Sequence, residues 1–179
     1  MKLAITGGIA EGKSTVASYV REAGYEVASA DEIARQVFES SEVQSELSIL
    51  FGLSPPITPE VVGKVVFQNP AQLRALNACV HPRIWVRMKQ IEAPVVEVPL
   101  LFETTIQGHF DRIWVVTCGP EEQLRRLTAR LGDEQSAKNQ LNAQLKTCIK
   151  CAFADRIIRT NGESSAVRSY VSEAIRRDL

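Results

Sequence analysis

The chain has 179 residues, of which 45% are hydrophobic and 23% charged, and its 21 basic residues balance 21 acidic ones. That length suits one domain over residues 1–179 with a full-sized core. A net charge of zero provides no basic field, so neither nucleic acid nor a membrane surface is expected as a partner. No apolar run approaches the length of a membrane span, and Met1–Thr6 has the pattern of a core strand, not of a signal peptide. We therefore expect a cytoplasmic protein.

The first predicted element is an apolar strand, Leu3–Thr6, which runs into a glycine-bearing loop and then a helical pattern, Ser14–Ala23. The loop sequence GGIAEGKST, from Gly7 to Thr15, matches the phosphate-binding pattern GxxxxGK[ST] in the strand–loop–helix context that the pattern requires. Glycines let the backbone turn its N–H groups toward phosphates, and the helix N-terminus adds partial positive charge. The sequence therefore predicts that the chain binds a nucleoside triphosphate.

Within this loop, Lys13 can reach the β- and γ-phosphates, and the Ser14 hydroxyl can ligate Mg²⁺. The loop residues predicted to contact the nucleotide are Gly8, Ala10, Glu11, Gly12, Lys13, Ser14 and Thr15. Glu11 brings a carboxylate into an anion-binding loop, so we expect its side chain to point into solvent or to weaken binding by repulsion.

The second predicted strand, Glu26–Ser29, is followed by Asp31 and a helical pattern over Glu32–Phe38. In a parallel sheet, this order places Asp31 at the carboxyl edge beside the loop that holds Lys13. A carboxylate there can accept the proton of an attacking hydroxyl, or orient Mg²⁺ and its waters. The position fits a helix N-cap as well, and the two roles are compatible.

The stretch from about residue 40 to residue 92 breaks the alternation of strands and helices. It contains several helical segments and frequent prolines but no convincing strand. We interpret it as a helical insertion between the second and third core strands, where an α/β enzyme would hold a second substrate. Within the insertion, His81-Pro82 taken alone favours a turn.

The remaining elements restore the alternation. Three further strands are predicted at Val95–Val98, Arg112–Thr117 and Arg156–Arg159. One helical pattern starts at Pro120, a second covers Glu134–Phe153, and a third covers Ser164–Arg177. Strands alternating with helices predict an α/β fold with a parallel five-stranded sheet covered on both faces, in three layers.

Two arginines, Arg126 and Arg130, lie four residues apart on the helix that starts at Pro120. Guanidinium groups one turn apart can clamp a transferring phosphoryl group, although a solvated basic face is the commoner arrangement for a bare pair. The sequence has no Asn-Lys-x-Asp motif for reading guanine, which favours a small kinase over a GTPase switch.

These motifs, in this order over nearly the whole chain, resemble the dephospho-coenzyme A kinase family. The most specific segments are His81-Pro82-Arg83-Ile84 and Pro99-Leu100-Leu101-Phe102-Glu103, because many families share the phosphate loop. Further matches lie at Ala30–Arg35, Val65–Phe67, Leu76-Asn77, Phe110-Asp111, Gln123, Gln144, Lys150, Ala154-Asp155 and Asn161-Gly162. That family transfers the γ-phosphate of ATP to the ribose 3′-hydroxyl of dephospho-coenzyme A, the last step of coenzyme A synthesis.

The resemblance implies a P-loop NTPase/kinase fold with a helical lid, and ATP with Mg²⁺ as nucleotide and cofactor. It implies that Asp31 is the catalytic base and that Lys13 and Arg126 stabilise phosphate charge. Arg130 would be a lid arginine, and Asn161 would lie by the adenine. A monomer or weak homo-oligomer with small-molecule substrates is expected.

The same resemblance implies an acceptor site. The residues expected to face the acceptor are Asp31, His81, Leu100, Leu101 and Glu103.

Five positions depart from the family pattern. In the phosphate loop, Ala10-Glu11 replace the usual Gly-Ser. Ser29 stands where the family has an acid, Pro59 where an arginine is typical, and Gln140 where a lid arginine is frequent. Two alternatives therefore stay open: another small-metabolite or nucleoside kinase on the same scaffold, or a nucleotide-binding module without transfer activity.

Overall fold

In the part of the chain that the structure describes, five parallel strands form one sheet in the order β2-β3-β1-β4-β5. The strands are β1 Leu3–Gly7, β2 Val27–Ser29, β3 Val95–Glu97, β4 Arg112–Thr117 and β5 Arg156–Arg159. β1 is buried along its whole length because it lies between β3 and β4, with Leu3 opposite Val95 on one side and Arg112 on the other. The predicted parallel five-stranded sheet is confirmed.

The computed structural model describes residues 1–66 and 69–179, so the predicted motif residue Phe67 lies outside the described residues. The helices are α1 Lys13–Glu22, α2 Ala30–Glu39, α3 Ser41–Phe51, α4 Pro59–Val66, α5 Pro70–Lys89, α6 Pro120–Leu131, α7 Glu134–Asn142, α8 Thr147–Cys151 and α9 Ser164–Asp178. None of them, over the described residues, combines the length and apolar character that a membrane crossing requires.

The sheet and the helices α1 and α6–α9 form one compact unit, made of Met1–Ser29 and Ala93–Leu179. Its core packs α1 and α9 onto the sheet around Trp114, whose side chain is fully buried. The Trp114 indole N–H donates to Asp178 Oδ2 at 2.7 Å, so the one polar atom of this side chain is satisfied. This packing buries the central strand beneath the loop that follows it.

The predicted helix Glu134–Phe153 is wrong, because the chain breaks into α7 and α8 over residues 143–146. Two of these link residues bond elsewhere: the Leu145 N–H donates to Glu103 Oε1 at 3.1 Å, and Gln144 Oε1 accepts from the Ile9 N–H at 3.0 Å. These tertiary bonds outweigh the helix propensity of the segment, which is only a weak preference.

Residues Ala30–Glu92 form a second compact unit, which holds α2–α5. Arg83 links two of its helices, since its guanidinium lies 2.8 Å from Glu42 Oε1 and 2.7 Å from Glu46 Oε2. Asn69 caps α5 by accepting from the Ala71 and Gln72 N–H groups. The division into a single domain with an insertion at about 40–92 stays a prediction.

Two local interpretations within this second unit are wrong. Asp31 is not an N-cap, because α2 follows β2 without a loop and begins at Ala30, which leaves Asp31 inside the first helical turn. His81-Pro82 is not a turn, because both residues lie inside α5. In the turn that Pro82 disturbs, Arg83 Nη1 donates to the Cys79 carbonyl at 2.6 Å, which supports the helix there.

Candidate nucleotide and acceptor sites

The loop between β1 and α1 has the tight backbone that phosphate binding requires. Gly12 lies in the left-handed region at φ 91°, and a Cβ on Gly7 would lie 2.4 Å from the Val116 carbonyl oxygen. Ala10 is also in the left-handed region, at φ 62°, and this backbone conformation costs an L-residue about 1–2 kcal/mol. The loop therefore keeps the shape that glycine favours at a position where this chain has alanine.

Lys13 begins α1, and its ammonium Nζ donates to the Gly8 carbonyl at 2.8 Å across the loop. Ser14 and Thr15 follow on the first turn and are exposed. The first N–H groups of a helix have no partner within the helix and carry partial positive charge. The loop therefore presents a cationic side chain and the N-terminus of a helix to an anion.

The expectation that Glu11 points into solvent is wrong. Glu11 is only 1% exposed, and its Oε2 accepts from the Cys118 N–H at 2.6 Å. The Glu11 carbonyl accepts from Thr160 Oγ1 at 2.7 Å. Burial raises the pKa of Cys118 to about 11, and the negative charge of Glu11 adds to that rise. The carboxylate therefore fastens the loop to the residue that follows β4.

Glu11→Ser is expected to lower the free energy of unfolding by about 1–3 kcal/mol, because the buried Cys118 N–H loses its acceptor. Glu11→Gln keeps an acceptor oxygen at that place and should lose much less. Urea unfolding of both variants measures the difference. Equal stability of Glu11→Ser and the wild-type chain would contradict the buried role.

Two glutamines hold the peptide groups on either side of Ile9. Gln123 Nε2 of α6 donates to the Ile9 carbonyl at 2.9 Å, and Gln144 Oε1 accepts from the Ile9 N–H at 3.0 Å. Both glutamines line a cavity of about 590 Å³ that also reaches Gly8 and Glu11. Space of ligand size therefore lies directly against the loop. Both glutamines match the family pattern, but the sequence alone indicates no role for them.

Arg126 joins α6 to the turn between β5 and α9. Its Nε donates to Glu122 Oε1 at 2.7 Å, its Nη2 to the Thr160 carbonyl at 2.8 Å, and its Nη1 to Thr160 Oγ1 at 3.3 Å. Hydrogen bonds from Arg125 and Arg126 lower the pKa of Glu122 to about 2. Arg126 is thus fixed beside Asn161, while Arg130 is exposed one turn further along α6. Thr160, which sequence reasoning missed, directly precedes the predicted adenine contact Asn161.

The three predicted acceptor residues in the segment after β3, which are Leu100, Leu101 and Glu103, differ in their exposure and their contacts. Leu100 is exposed, but Leu101 is fully buried, so the side chain of Leu101 belongs to the core and has no surface with which to meet an acceptor. Glu103 Oε1 lies 2.8 Å from Nζ of the fully buried Lys150. Burial raises the pKa of Glu103, but the hydrogen bonds from Lys150 and from backbone N–H groups bring it below its ordinary value.

The two predicted acceptor residues of the second unit do not share a cavity. Asp31 is exposed on α2 and lines a cavity of about 1010 Å³ with Arg35, Gln44 and residues 55–59. His81 is exposed on α5 and lies outside the lining of that cavity. The lining of this cavity includes one guanidinium, that of Arg35, and two carboxylates, those of Asp31 and Glu39, beside apolar side chains, which suits a polar metabolite with an apolar portion.

The sheet order, the phosphate loop after the central strand and the helical unit between β2 and β3 define the chain as a P-loop kinase. The model of the dephospho-CoA kinase family matches residues 1–166. The chain belongs to the dephospho-CoA kinase family.

Individual relatives agree with this placement. The chain is 32% identical to the dephospho-CoA kinase of Shouchella clausii, over 98% of this chain and 97% of that protein. The Thermus thermophilus protein TT1252 superposes with a TM-score of 0.86 at 30% identity, covering 100% of this chain and 97% of that one. The dephospho-CoA kinase from Campylobacter jejuni has a TM-score of 0.67 at 25% identity, covering 98% and 96%.

Proposed function

We propose that this protein transfers the γ-phosphoryl group of ATP to the ribose 3′-hydroxyl of dephospho-CoA, which yields CoA and ADP. The observation that carries the proposal is the phosphate loop with Lys13 at the end of the central strand, in a chain that belongs to this kinase family. A coupled ADP-release assay with a panel of acceptors tests it. Turnover with dephospho-CoA well above that with nucleosides or shikimate supports the proposal, whereas a preference for another acceptor replaces it with the small-metabolite kinase alternative.

On the nucleotide side, the triphosphate binds the backbone of the loop from Gly8 to Thr15, and Lys13 exchanges its bond to the Gly8 carbonyl for phosphate oxygens. The adenine binds beside Asn161. Arg126 uses three of its five N–H groups to donate hydrogen bonds to Glu122 and Thr160, and the other two can donate to the triphosphate.

On the acceptor side, dephospho-CoA binds in the cavity that Asp31 and Arg35 line. The Asp31 carboxylate accepts the proton of the 3′-hydroxyl as the oxygen attacks the γ-phosphorus. The bond from that phosphorus to the bridging oxygen breaks, and ADP leaves with the electron pair. Leu100 and Glu103 are proposed to contact the same substrate, as is His81.

Mg²⁺ is proposed as the cofactor of this reaction. Ser14 fits it, because its hydroxyl is exposed on the first turn of α1 directly after Lys13. When bound, the ion neutralises charge that develops on the phosphate oxygens. Ser14 would hold the ion, and Asp31 would orient its waters.

The helical hairpin of α6 and α7 is proposed as the lid that brings Arg126 and Arg130 onto the triphosphate and excludes water, so that ATP is not hydrolysed without an acceptor. We also propose that the protein acts in the cytoplasm as a monomer or weak homo-oligomer. Its net charge of zero supports partners that are small molecules and not nucleic acid.

Arg126→Lys should lower turnover by about 10²-fold while it changes the Kd for ATP far less. Lysine keeps the charge but lacks the planar fork with which Arg126 engages Glu122 and Thr160 simultaneously. Steady-state kinetics together with calorimetric ATP binding separates the two effects.

The matched control for this prediction is Arg125→Lys. Arg125 lies next to Arg126 on α6, is exposed, and bonds Glu122 without reaching Thr160. Its replacement should leave turnover within about twofold of the wild-type value. Equal losses of turnover in the two variants would mean that Arg126 acts only through its ion pair with Glu122, which both arginines make, and not at the triphosphate.

A further inference from the structure

Lys150 is a fully buried lysine that the phosphoryl-transfer step described above does not use. Its side chain is 0% exposed, and its Nζ lies 2.8 Å from Glu103 Oε1 and 3.5 Å from the Pro99 carbonyl oxygen. A buried ammonium is retained only where a close partner compensates its lost hydration. Glu103 is that partner, and its side chain is 22% exposed, so it reaches from the buried ammonium to the surface.

The same carboxylate oxygen holds the link between α7 and α8. Glu103 Oε1 accepts from the Leu145 N–H at 3.1 Å. The neighbouring residue, Gln144, accepts from the Ile9 N–H of the phosphate loop at 3.0 Å. A continuous series of short polar contacts therefore runs from Lys150 through Glu103 and the link to Ile9.

Ile9 stands at the place where the loop turns. Gln123 holds its carbonyl at 2.9 Å, so side chains from two different elements fix the peptide groups on both of its sides. The next residue, Ala10, is held in the left-handed region at φ 62°, which an alanine adopts only under constraint from its surroundings. The orientation of Ile9 thus helps to set the direction of the backbone N–H groups that follow it.

We propose that Gln144 and Lys150 are positioning residues for ATP: Lys150 holds Glu103, Glu103 holds the α7–α8 link, and Gln144 in that link holds the phosphate loop in its binding conformation. The inference rests on the proposed function, because it takes the loop as the ATP site. It adds a support outside the loop motif, contributed by residues far away in the sequence.

The test is a double-mutant cycle on the full chain with Gln144→Ala, Lys150→Met and the double variant. Each single change is expected to raise KM for ATP about tenfold, and Gln144→Ala should leave KM for the acceptor within about twofold of wild type. Because both residues act through one series of contacts, the double variant should show a KM close to that of the worse single variant. Effects that multiply, or an unchanged KM in Gln144→Ala, would overturn the proposal.

Two further variants separate positioning from packing. Lys150→Met/Glu103→Gln leaves no lone carboxylate and keeps an acceptor for the Leu145 N–H, so KM for ATP should return to within about threefold of wild type. Arg156→Met breaks a different partly buried ion pair, with Asp178 on α9, and should lower Tm without moving KM for ATP. If Arg156→Met raises this KM as much as Lys150→Met does, the effect is general destabilisation and the proposal fails.

The outcomes distinguish this inference from the function on which it rests. A wild-type chain that binds no ATP in calorimetry would remove the proposed function, and the inference with it. A wild-type chain that binds ATP, with variants that bind it equally well, would remove the inference alone. If Lys150→Met does not fold, a cycle of Gln144→Ala with Gln123→Ala decides the case, because both glutamines meet at Ile9.

Discussion

Lys13→Ala is expected to lower kcat/KM for ATP by about 30- to 900-fold, which corresponds to about 2–4 kcal/mol of lost transition-state stabilisation. The ammonium is the one cationic side chain that the loop itself carries, and it already lies within the loop, 2.8 Å from the Gly8 carbonyl. Without ligand, the change should lower Tm only slightly, because the Lys13 side chain is partly exposed and water replaces much of what its bond to the Gly8 carbonyl contributes. Kinetics and thermal melting with and without ATP measure both quantities.

Two companion variants make the Lys13 result specific. Lys13→Met keeps the aliphatic stem and should behave like Lys13→Ala, since the charge is what the phosphates lose. Lys64→Met removes a lysine from the exposed side of α4 and should leave turnover and ATP binding unchanged. If ATP still raises the Tm of Lys13→Ala and its turnover stays near wild type, the loop is not the nucleotide site.

Asp31→Asn is expected to lower the rate of phosphoryl transfer by about 10²–10⁴-fold, the usual contribution of a general base. Asparagine has the same size and cannot accept the hydroxyl proton. Asp31 lies in the first turn of α2, so losing its charge also removes a favourable interaction with the helix dipole, worth about 0.3–1 kcal/mol. The fold and ATP binding should survive. Single-turnover transfer to dephospho-CoA at saturating ATP is the decisive measurement.

The matched control for Asp31 is its neighbour Glu32. Glu32 is also an exposed acid in the first turn of α2, but its carboxylate is engaged by Arg35 at 2.6 Å. Glu32→Gln therefore costs α2 a comparable helix-dipole interaction without touching the proposed base, and transfer should stay within about twofold of wild type. Transfer by Asp31→Asn within a few-fold of wild type would mean that the base lies elsewhere.

The sheet was predictable because its signal is local. Each strand is a short apolar run between polar or glycine-bearing segments, and β4 and β5 begin and end at the predicted residues. The phosphate loop was predictable for a related reason: its motif, its strand and its helix are contiguous in sequence, and α1 starts at Lys13.

What the sequence could not provide depends on contacts between distant residues. Glu11 is buried where its carboxylate accepts from the N–H of Cys118. The chain breaks between α7 and α8 where the link residues bond to Glu103 and to Ile9. Helical periodicity continues through residues 143–146, so no local signal marks that break. The sequence around Asp31 fits a helix cap as well as a catalytic base, because nothing in the pattern indicates that α2 follows β2 without a loop.

The central place of β1 has a consequence for how the chain is made. Of the five described strands, β1 leaves the ribosome first, and its partners β3 and β4 follow it by about 90 and 110 residues. Pairings across such distances form slowly, because the entropy of closing a long loop is lost before any stabilising contact forms. Until β4 has been synthesised, the nascent chain carries an apolar strand with at least one unpaired edge, which is a site of aggregation. The helices of residues 30–92 depend on nearer contacts, so we expect them to gain structure on the emerging chain before the nucleotide loop does.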